Sequence, residues 1–365
     1  MFQLVMTMTD FCNNTDKGFT LPADDQDKLS LLEKLQKTSD YPLTAGLSIT
    51  ERCPLSCPHC YIDGHCKDKE LSLNEIIVLL DELESLGVLK LSITGGEPAA
   101  RNDLIDIVRA AWERHFLISL KTSGATLTFN DVEALRNNGL SKIEVSLYHI
   151  DSALHDKFVG MDGAWKNTIS CIEQFSSYGG GVSVNMVLMN WNSDAVEPLS
   201  NLCEKNNWRF LMDPKVTHKN DGKTTPVGLR ADLEILQTTT KHVLGEIPAR
   251  SIPNPDESLC NAGKSLAYFT SSGDVWLCPS LPVSMGNIRE NTFKEIWDNS
   301  TLRGEILNTT WGKSPECLSC AHSGFCTRCP GESFLEHGDF QRTNTVDCQV
   351  AEARHLAWLK RKKRQ

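Results

Sequence analysis

The chain reads as an α/β protein with parallel strands. Three features predict this: six short β-rich runs, amphipathic helical segments between them, and chemically unusual residues gathered just after the runs. The runs are AGLSIT (45–50), LKLSIT (89–94), FLISLK (116–121), KIEVSL (142–147), GVSVNMVLM (181–189) and WRFLMD (208–213). SLNEIIVLLDELESLG follows the first, with Ser72 placed to cap a helix and Gly87 to stop it. NDLIDIVRAAWERH follows the second, with Asn102 as its cap. Parallel strands joined by helices need right-handed crossovers, and six such units suit either an open doubly wound sheet or a partial (β/α) barrel. Both architectures place chemistry at the C-terminal ends of the strands.

Composition bounds the class. A chain of 365 residues is long enough for about two domains, and 40% hydrophobic content supports ordinary cores. No apolar run reaches the roughly 18 residues of a membrane span, and MFQLVMTMTDFCNN at the start has neither the basic onset nor the apolar stretch of a signal peptide. The expected location is the cytoplasm. A net charge of −10 argues against general nucleic-acid binding, and the terminal LKRKKRQ reads as a solvated basic tail.

Fourteen cysteines in a reducing compartment are poorly explained by disulfides. Three cluster at 53, 57 and 60, and seven fall between 260 and 348, which suggests metal. In CPLSCPHC (53–60), spacings of four and three would put the thiols on one face of a helix, but Pro54 and Pro58 favour a wrapped loop. A structural zinc site needs four ligands, for which His59, His65 or Cys66 could complete the set. A [4Fe–4S] cluster held by three thiolates instead leaves one iron open to a small chelating ligand. GGEP (95–98) follows the second strand and TSGAT (122–126) the third, on the same rim as the triplet.

The triplet Cys53, Cys57, Cys60 in C-x3-C-x2-C, with Gly95, Gly96, Glu97 and Pro98 after the second strand, resembles the radical S-adenosylmethionine (SAM) superfamily. The resemblance implies a partial (β/α)6 TIM-type barrel. It also implies that the open iron chelates SAM, and that reductive cleavage yields a 5′-deoxyadenosyl radical that abstracts hydrogen from a substrate. By the same resemblance the paired glycines let the backbone approach the methionine amino group. Tyr61 matches the adenine-contacting position, Ser123 the ribose contact and Ser146 a polar group on strand four. One departure stands out: relatives often carry Ser-Leu-Asp-Gly there and an arginine some ten residues later. This chain has SLYH (146–149) and HDKFVG (155–160), with Val159 at the arginine's place and Lys157 as a nearby substitute that lacks the bidentate fork.

Cys260 and Cys278 frame a segment with Gly273 five residues before the second; Cys317, Cys320, Cys326 and Cys329 follow as C-x2-C-x5-C-x2-C, and then Cys348. The set is similar to the SPASM extension of radical SAM enzymes, a cysteine-rich iron–sulfur domain with two auxiliary clusters. The resemblance covers residues 44–350. It implies Cys260, Cys278 and Cys329 as ligands of auxiliary cluster I and Cys317, Cys320, Cys326 and Cys348 as ligands of auxiliary cluster II. The first set has no obvious fourth thiol, which leaves a non-cysteine ligand or an open site.

The expected organisation is an extension (1–43), a radical SAM core (44–235), a SPASM domain (236–350) and a basic C-terminal helix or tail (351–365). Cys171 and Cys203 read as buried apolar residues, and Cys12 has no assigned role. The polar stretch 212–230 is either a substrate-facing loop or a linker. Tyr148, His149, Trp191 and Asp213 follow rim strands and are weak candidates for substrate contact or proton transfer.

The resemblance implies a maturase of ribosomally made peptides, related to the pyrroloquinoline quinone pathway enzyme. Its partners would be a precursor peptide, a separate leader-peptide recognition protein (the 43 residues before strand one being too few for a fused one) and an electron donor of flavodoxin or ferredoxin type. Alternatives are radical modification of a small molecule or tetrapyrrole, sulfatase-type protein maturation, and a non-catalytic metal-stapled redox scaffold.

Overall fold

The computed structural model describes residues 39–62, 70–243 and 253–362. The charged helix pattern before strand one, Cys12, His65 and Cys66 lie outside them. Six parallel strands form as expected: β1 (Thr44–Ser48), β2 (Lys90–Thr94), β3 (Leu117–Thr122), β4 (Lys142–Ser146), β5 (Gly181–Val187) and β6 (Arg209–Asp213). Each pairs with the next, from Thr44 opposite Lys90 in β1–β2 to Val187 opposite Asp213 in β5–β6. Helices cover the sheet: α1 (Leu73–Ser85), α2 (Leu104–Glu113), α3 (Phe129–Asn137), α4 (Ser152–Val159), α5 (Ala164–Ser177) and α6 (Val196–Lys205). Because sheet and helices bury residues from both sides, β1 and β2 are each buried at four consecutive positions, and Leu47, Ile93, Leu120, Val145 and Met186 are fully buried. Cys171 and Cys203 are buried among them.

The helix ends follow local chemistry. Ser72 caps α1 in a reciprocal box: its hydroxyl accepts from the Glu75 amide while the Glu75 carboxylate accepts from the Ser72 amide at 2.7 Å. Gly87, at φ 81°, ends the helix in the left-handed region. The cap expected at Asn102 is not made. The residue before α2 is Asp103, and its carboxylate is occupied by a bidentate pair with Arg101 (2.8 and 2.7 Å), so no side chain caps this helix.

A seventh strand is the main addition. β7 (Leu266–Phe269) lies parallel to β1, with Thr44 opposite Leu266 and Leu47 opposite Phe269, and β8 (Val275–Trp276) returns antiparallel to it. The sheet order is β6-β5-β4-β3-β2-β1-β7-β8. The C-terminal region therefore covers the edge of β1 that a six-strand arrangement would leave open.

The connecting helix α7 (Leu233–Val243) lies before β7, and beyond the hairpin come α8 (Phe293–Asn299), α9 (Thr301–Leu307), α10 (Pro315–Leu318), α11 (Pro330–His337) and α12 (Thr345–Lys362). Helix α12 starts before Cys348 and runs unbroken to Lys362, so the segment expected as a basic helix or tail from 351 is helical to that point and continuous with the cysteine-rich region. Lys360 Nζ donates to Gln237 Oε1 of the connecting helix at 3.0 Å.

Within the polar stretch 212–230, residues 215–218 after β6 are buried. Lys215 is 4% exposed and forms an ion pair with the buried carboxylate of Asp347 on α12. Asp347 also accepts from the Cys329 amide (2.6 Å) and Asn344 Nδ2 (2.7 Å). The segment thus ties the parallel sheet to the C-terminal region, while Asn220 N donates to Tyr61 O at 2.9 Å beside the first cysteine loop. Removing one member of a buried pair leaves the other charge uncompensated. Asp347→Ala is expected to lower unfolding free energy by about 3–5 kcal/mol in urea titrations, whereas removing both charges in Lys215→Met/Asp347→Leu should cost less.

Candidate active site

The first cysteine loop begins five residues after β1 ends. Its shape is set by backbone packing rather than by a helix: Cys60 N donates to Cys57 O (3.1 Å), and Ser56 N donates to Val159 O at the end of α4 (2.9 Å). Burial pushes the Cys53 thiol up to about 11 and Cys57 up to about 12, and Cys60 adds to the rise in both. Cys53, Cys57 and Cys60 lie within one another's electrostatic field, and three thiolates are the donor set of an iron–sulfur cluster with one open iron. Leu55 and Cys57 pack with Tyr148, Phe158, Val159 and Trp191, giving the triplet an apolar wall.

GGEP locks onto that loop. Gly96 N donates to Thr50 O (2.7 Å) and Glu97 N to Arg52 O (2.8 Å). A Cβ on Gly95 would stand 2.2 Å from Thr50 O, and one on Gly96 2.4 Å from Glu51 O and 2.6 Å from Arg52 O. The glycines are required by approach to the strand leading into the triplet, before any ligand is considered. Glu97, 1% exposed, accepts from Ala99 N, Thr122 Oγ1 (2.6 Å), Ser123 N (2.8 Å) and Ser123 Oγ (2.6 Å). It straps the rim of β2 to the rim of β3. The sequence reading placed Glu97 and Ser123 separately at a ligand and missed this strap, although Thr122 and Ser123 stand at the end of the third run. Pro98 opens the short turn that follows. A cavity of about 310 Å³ lined by Arg52, Cys53, Pro54, Ala99, Ala100 and Thr126 opens beside the triplet.

The other candidates divide. Tyr61 is held near Tyr268 of β7, and burial drives its hydroxyl well above the usual range. Tyr148 is 7% exposed, packed against His59 (4.8 Å) and Phe158 (5.0 Å), and its hydroxyl is likewise raised by burial and then by Cys57, with Ser146 opposing. His149 is 4% exposed with both ring nitrogens engaged: Nδ1 accepts from Asp151 N (2.9 Å) and Nε2 faces Asp194 at 3.4 Å. It orders the turn after β4. Trp191 stacks on His149 at 5.9 Å. Asp213, at the end of β6, accepts from the Lys215 amide at 3.0 Å. Val159 is buried and Lys157 exposed on α4.

In the C-terminal region the thiols sort by their neighbours. Cys348 is raised by Cys317 and Cys320, and Cys326 by Cys348 and Cys317, in each case after burial and Asp347. Cys278 is raised by burial to about 12 and next by Cys260, while Cys329 has Cys278 among its neighbours. Lys215 lies within the field of Cys260, Cys326 and Cys329, between the two sets. Arg328 Nη1 donates to Cys317 Sγ at 3.1 Å. All twelve described cysteines are free. Lys215 and Arg328 escaped the sequence reading; the only hint was a lysine two residues after a rim strand and an arginine inside the cysteine run.

Two outcomes follow. Gly96→Ala is expected to displace the cysteine loop and reduce the visible absorbance of the reconstituted protein several-fold relative to wild type, while leaving far-UV circular dichroism intact. Burial lowers the His155 ring to about 4 from 6.5, so the folded state excludes a proton that the unfolded chain binds. Stability from this group is complete above pH 6.5 and is lost as the pH falls towards 4. His155→Gln should remove about 2 kcal/mol of that acid-side slope in urea unfolding at stepped pH.

The comparisons agree with this geometry. The family described as the radical SAM superfamily matches residues 47–203, and the SPASM iron–sulfur cluster-binding domain matches residues 260–330. The AdoMet-dependent heme synthase of Methanosarcina barkeri is 25% identical over 329 residues, covering 82% of this chain and 94% of its own. The PqqA peptide cyclase of Methylocella silvestris is 26% identical over 334 residues, covering 84% and 87%. The crystal structure of Streptococcus suis SuiB bound to the precursor peptide SuiA superposes with a TM-score of 0.69 at 19% identity, covering 89% of this chain and 80% of that one. The first match spans the cysteine triplet and GGEP and the second runs from Cys260 to just past Cys329, so the chain carries a radical SAM domain and a SPASM iron–sulfur cluster-binding domain and is a radical SAM enzyme.

Proposed function

We propose that this enzyme modifies a residue of a ribosomally made precursor peptide by hydrogen abstraction. The observation that carries the radical chemistry is the locking of GGEP onto the backbone that leads into Cys53, Cys57 and Cys60. These three thiols would hold the [4Fe–4S] cluster, which when bound supplies the electron that cleaves SAM. Gly95, Gly96, Glu97 and Pro98 form the wall beside it, with Tyr61, Ser123 and Ser146 as further SAM contacts. The apolar cluster of Tyr148, Phe158 and Trp191 would keep water from the reacting face.

Cys260, Cys278 and Cys329 are proposed for auxiliary cluster I, and Cys317, Cys320, Cys326 and Cys348 for auxiliary cluster II. The mutual proximity of thiols within each set supports this division. The peptide substrate is supported by the likeness to PqqA peptide cyclases. The likeness to a heme synthase supports a second reading, a tetrapyrrole substrate. Cys320 and Cys348 are exposed, and a flavodoxin or ferredoxin could deliver electrons at that face. A separate leader-recognition protein and a cytoplasmic setting complete the proposal; among the described residues no helix is long and apolar enough to cross a membrane.

The test uses protein reconstituted without oxygen. With dithionite it should form 5′-deoxyadenosine from SAM, and Cys57→Ala should reduce the yield to that of protein-free controls. Incubation with a precursor peptide encoded beside the gene should change the peptide's mass in the wild type alone. Turnover of a tetrapyrrole with no change in the peptide would favour the second reading, and absence of SAM cleavage would overturn both.

A further inference from the structure

Resting on the ligand sets proposed above, we infer that Glu332 is the fourth ligand of auxiliary cluster I, a carboxylate oxygen closing the position for which Cys260, Cys278 and Cys329 provide no thiol.

Glu332 lies in the first turn of α11, three residues after Cys329, the residue at that helix's N-cap. It is 1% exposed, and both carboxylate oxygens are buried without a hydrogen bond. Its nearest cation is Arg230, whose Nη2 stands 4.0 Å from Oε2 and makes no hydrogen bond of its own. Burying a carboxylate in this state is costly, and native structures retain such groups where something else binds them.

The backbone fixes this approach. A Cβ on Gly331 would stand 2.3 Å from Ser280 O, so the turn carrying Cys278 and the turn carrying Cys329 and Glu332 are packed directly on each other. The neighbouring carboxylates are already used. Asp347 accepts from Lys215, the Cys329 amide and Asn344, and Asp213 accepts from the Lys215 amide. Glu332 retains two buried oxygens without a hydrogen bond, beside the turn that carries Cys278, and a carboxylate is a competent, harder ligand for iron than thiolate.

The experiment uses the full chain with Cys53, Cys57 and Cys60 all changed to Ala, which removes the SAM-binding cluster and leaves about eight irons in two auxiliary clusters. Iron and sulfide are counted, and electron paramagnetic resonance is recorded after mild oxidation. Glu332→Gln in this background is expected to lose about one iron per chain and to show a [3Fe–4S] signal, because one corner loses its anionic ligand. Glu332→Cys should restore the count and abolish that signal, which also shows that the position tolerates substitution. An unchanged count and spectrum in Glu332→Gln would overturn the assignment of Glu332 alone. A background holding only about four irons, unaffected by Cys329→Ala, would instead remove the cluster itself and the ligand set on which the inference rests.

Discussion

Strand β1 is hydrogen-bonded on both edges, to β2 on one side and to β7, more than two hundred residues later, on the other. Everything chemical in the molecule hangs from this arrangement. The residues after β1 run directly into the cysteine triplet, those after β2 form GGEP, and those after β7 lead by a tight turn into β8 and Cys278. A strand gripped on both sides cannot shift register without disturbing two ladders, so the triplet that follows its C-terminal end and the thiols Cys260 and Cys278, which flank the β7–β8 hairpin towards its N-terminal end, are fixed to one sheet. This is the form of preorganisation that reactive chemistry needs, since a misplaced cluster ligand costs both affinity and control.

A web of buried charge makes the second connection. Lys215 leaves the rim of β6 and meets Asp347 of α12, which in turn receives the Cys329 amide; Arg230 and Glu332 lie alongside. Burial alone would discharge Lys215, and the carboxylate of Asp347 with the Cys329 thiol more than offsets it, so the ammonium is held well above its usual range. Glu332 is pushed the other way, up to about 8, mainly by burial and then by Asp347. Such groups contribute less to stability than to specificity of arrangement. Here they join the rim of β6 to the second thiol array.

Much of this was legible in the sequence. The six strands declared themselves through short β-rich runs between amphipathic helices, and the cysteines through spacing that random placement rarely gives. What stayed hidden was non-local. LAYF is only four residues long, and its period carries no information about a partner strand at 44–47. Asn102 looked like a cap because the nearby Arg101–Asp103 pair is a tertiary choice that local pattern does not encode. His149 looked catalytic by position, yet its nitrogens are spent on the turn it orders. Glu332 is an acid at a helix start, a placement the helix dipole favours anyway; only its burial without a hydrogen bond separates it from a capping residue.

The claim that one doubly paired strand unites the thiol sites is tested most directly by native-state hydrogen exchange across a range of denaturant. Amides of residues 44–48 and 266–269 should be protected to the same degree and should open in one common unfolding event. If 266–269 exchanged through a separate event at much lower free energy, with 44–48 still protected, the C-terminal region would be a loosely docked appendage and the account of a single frame would be wrong.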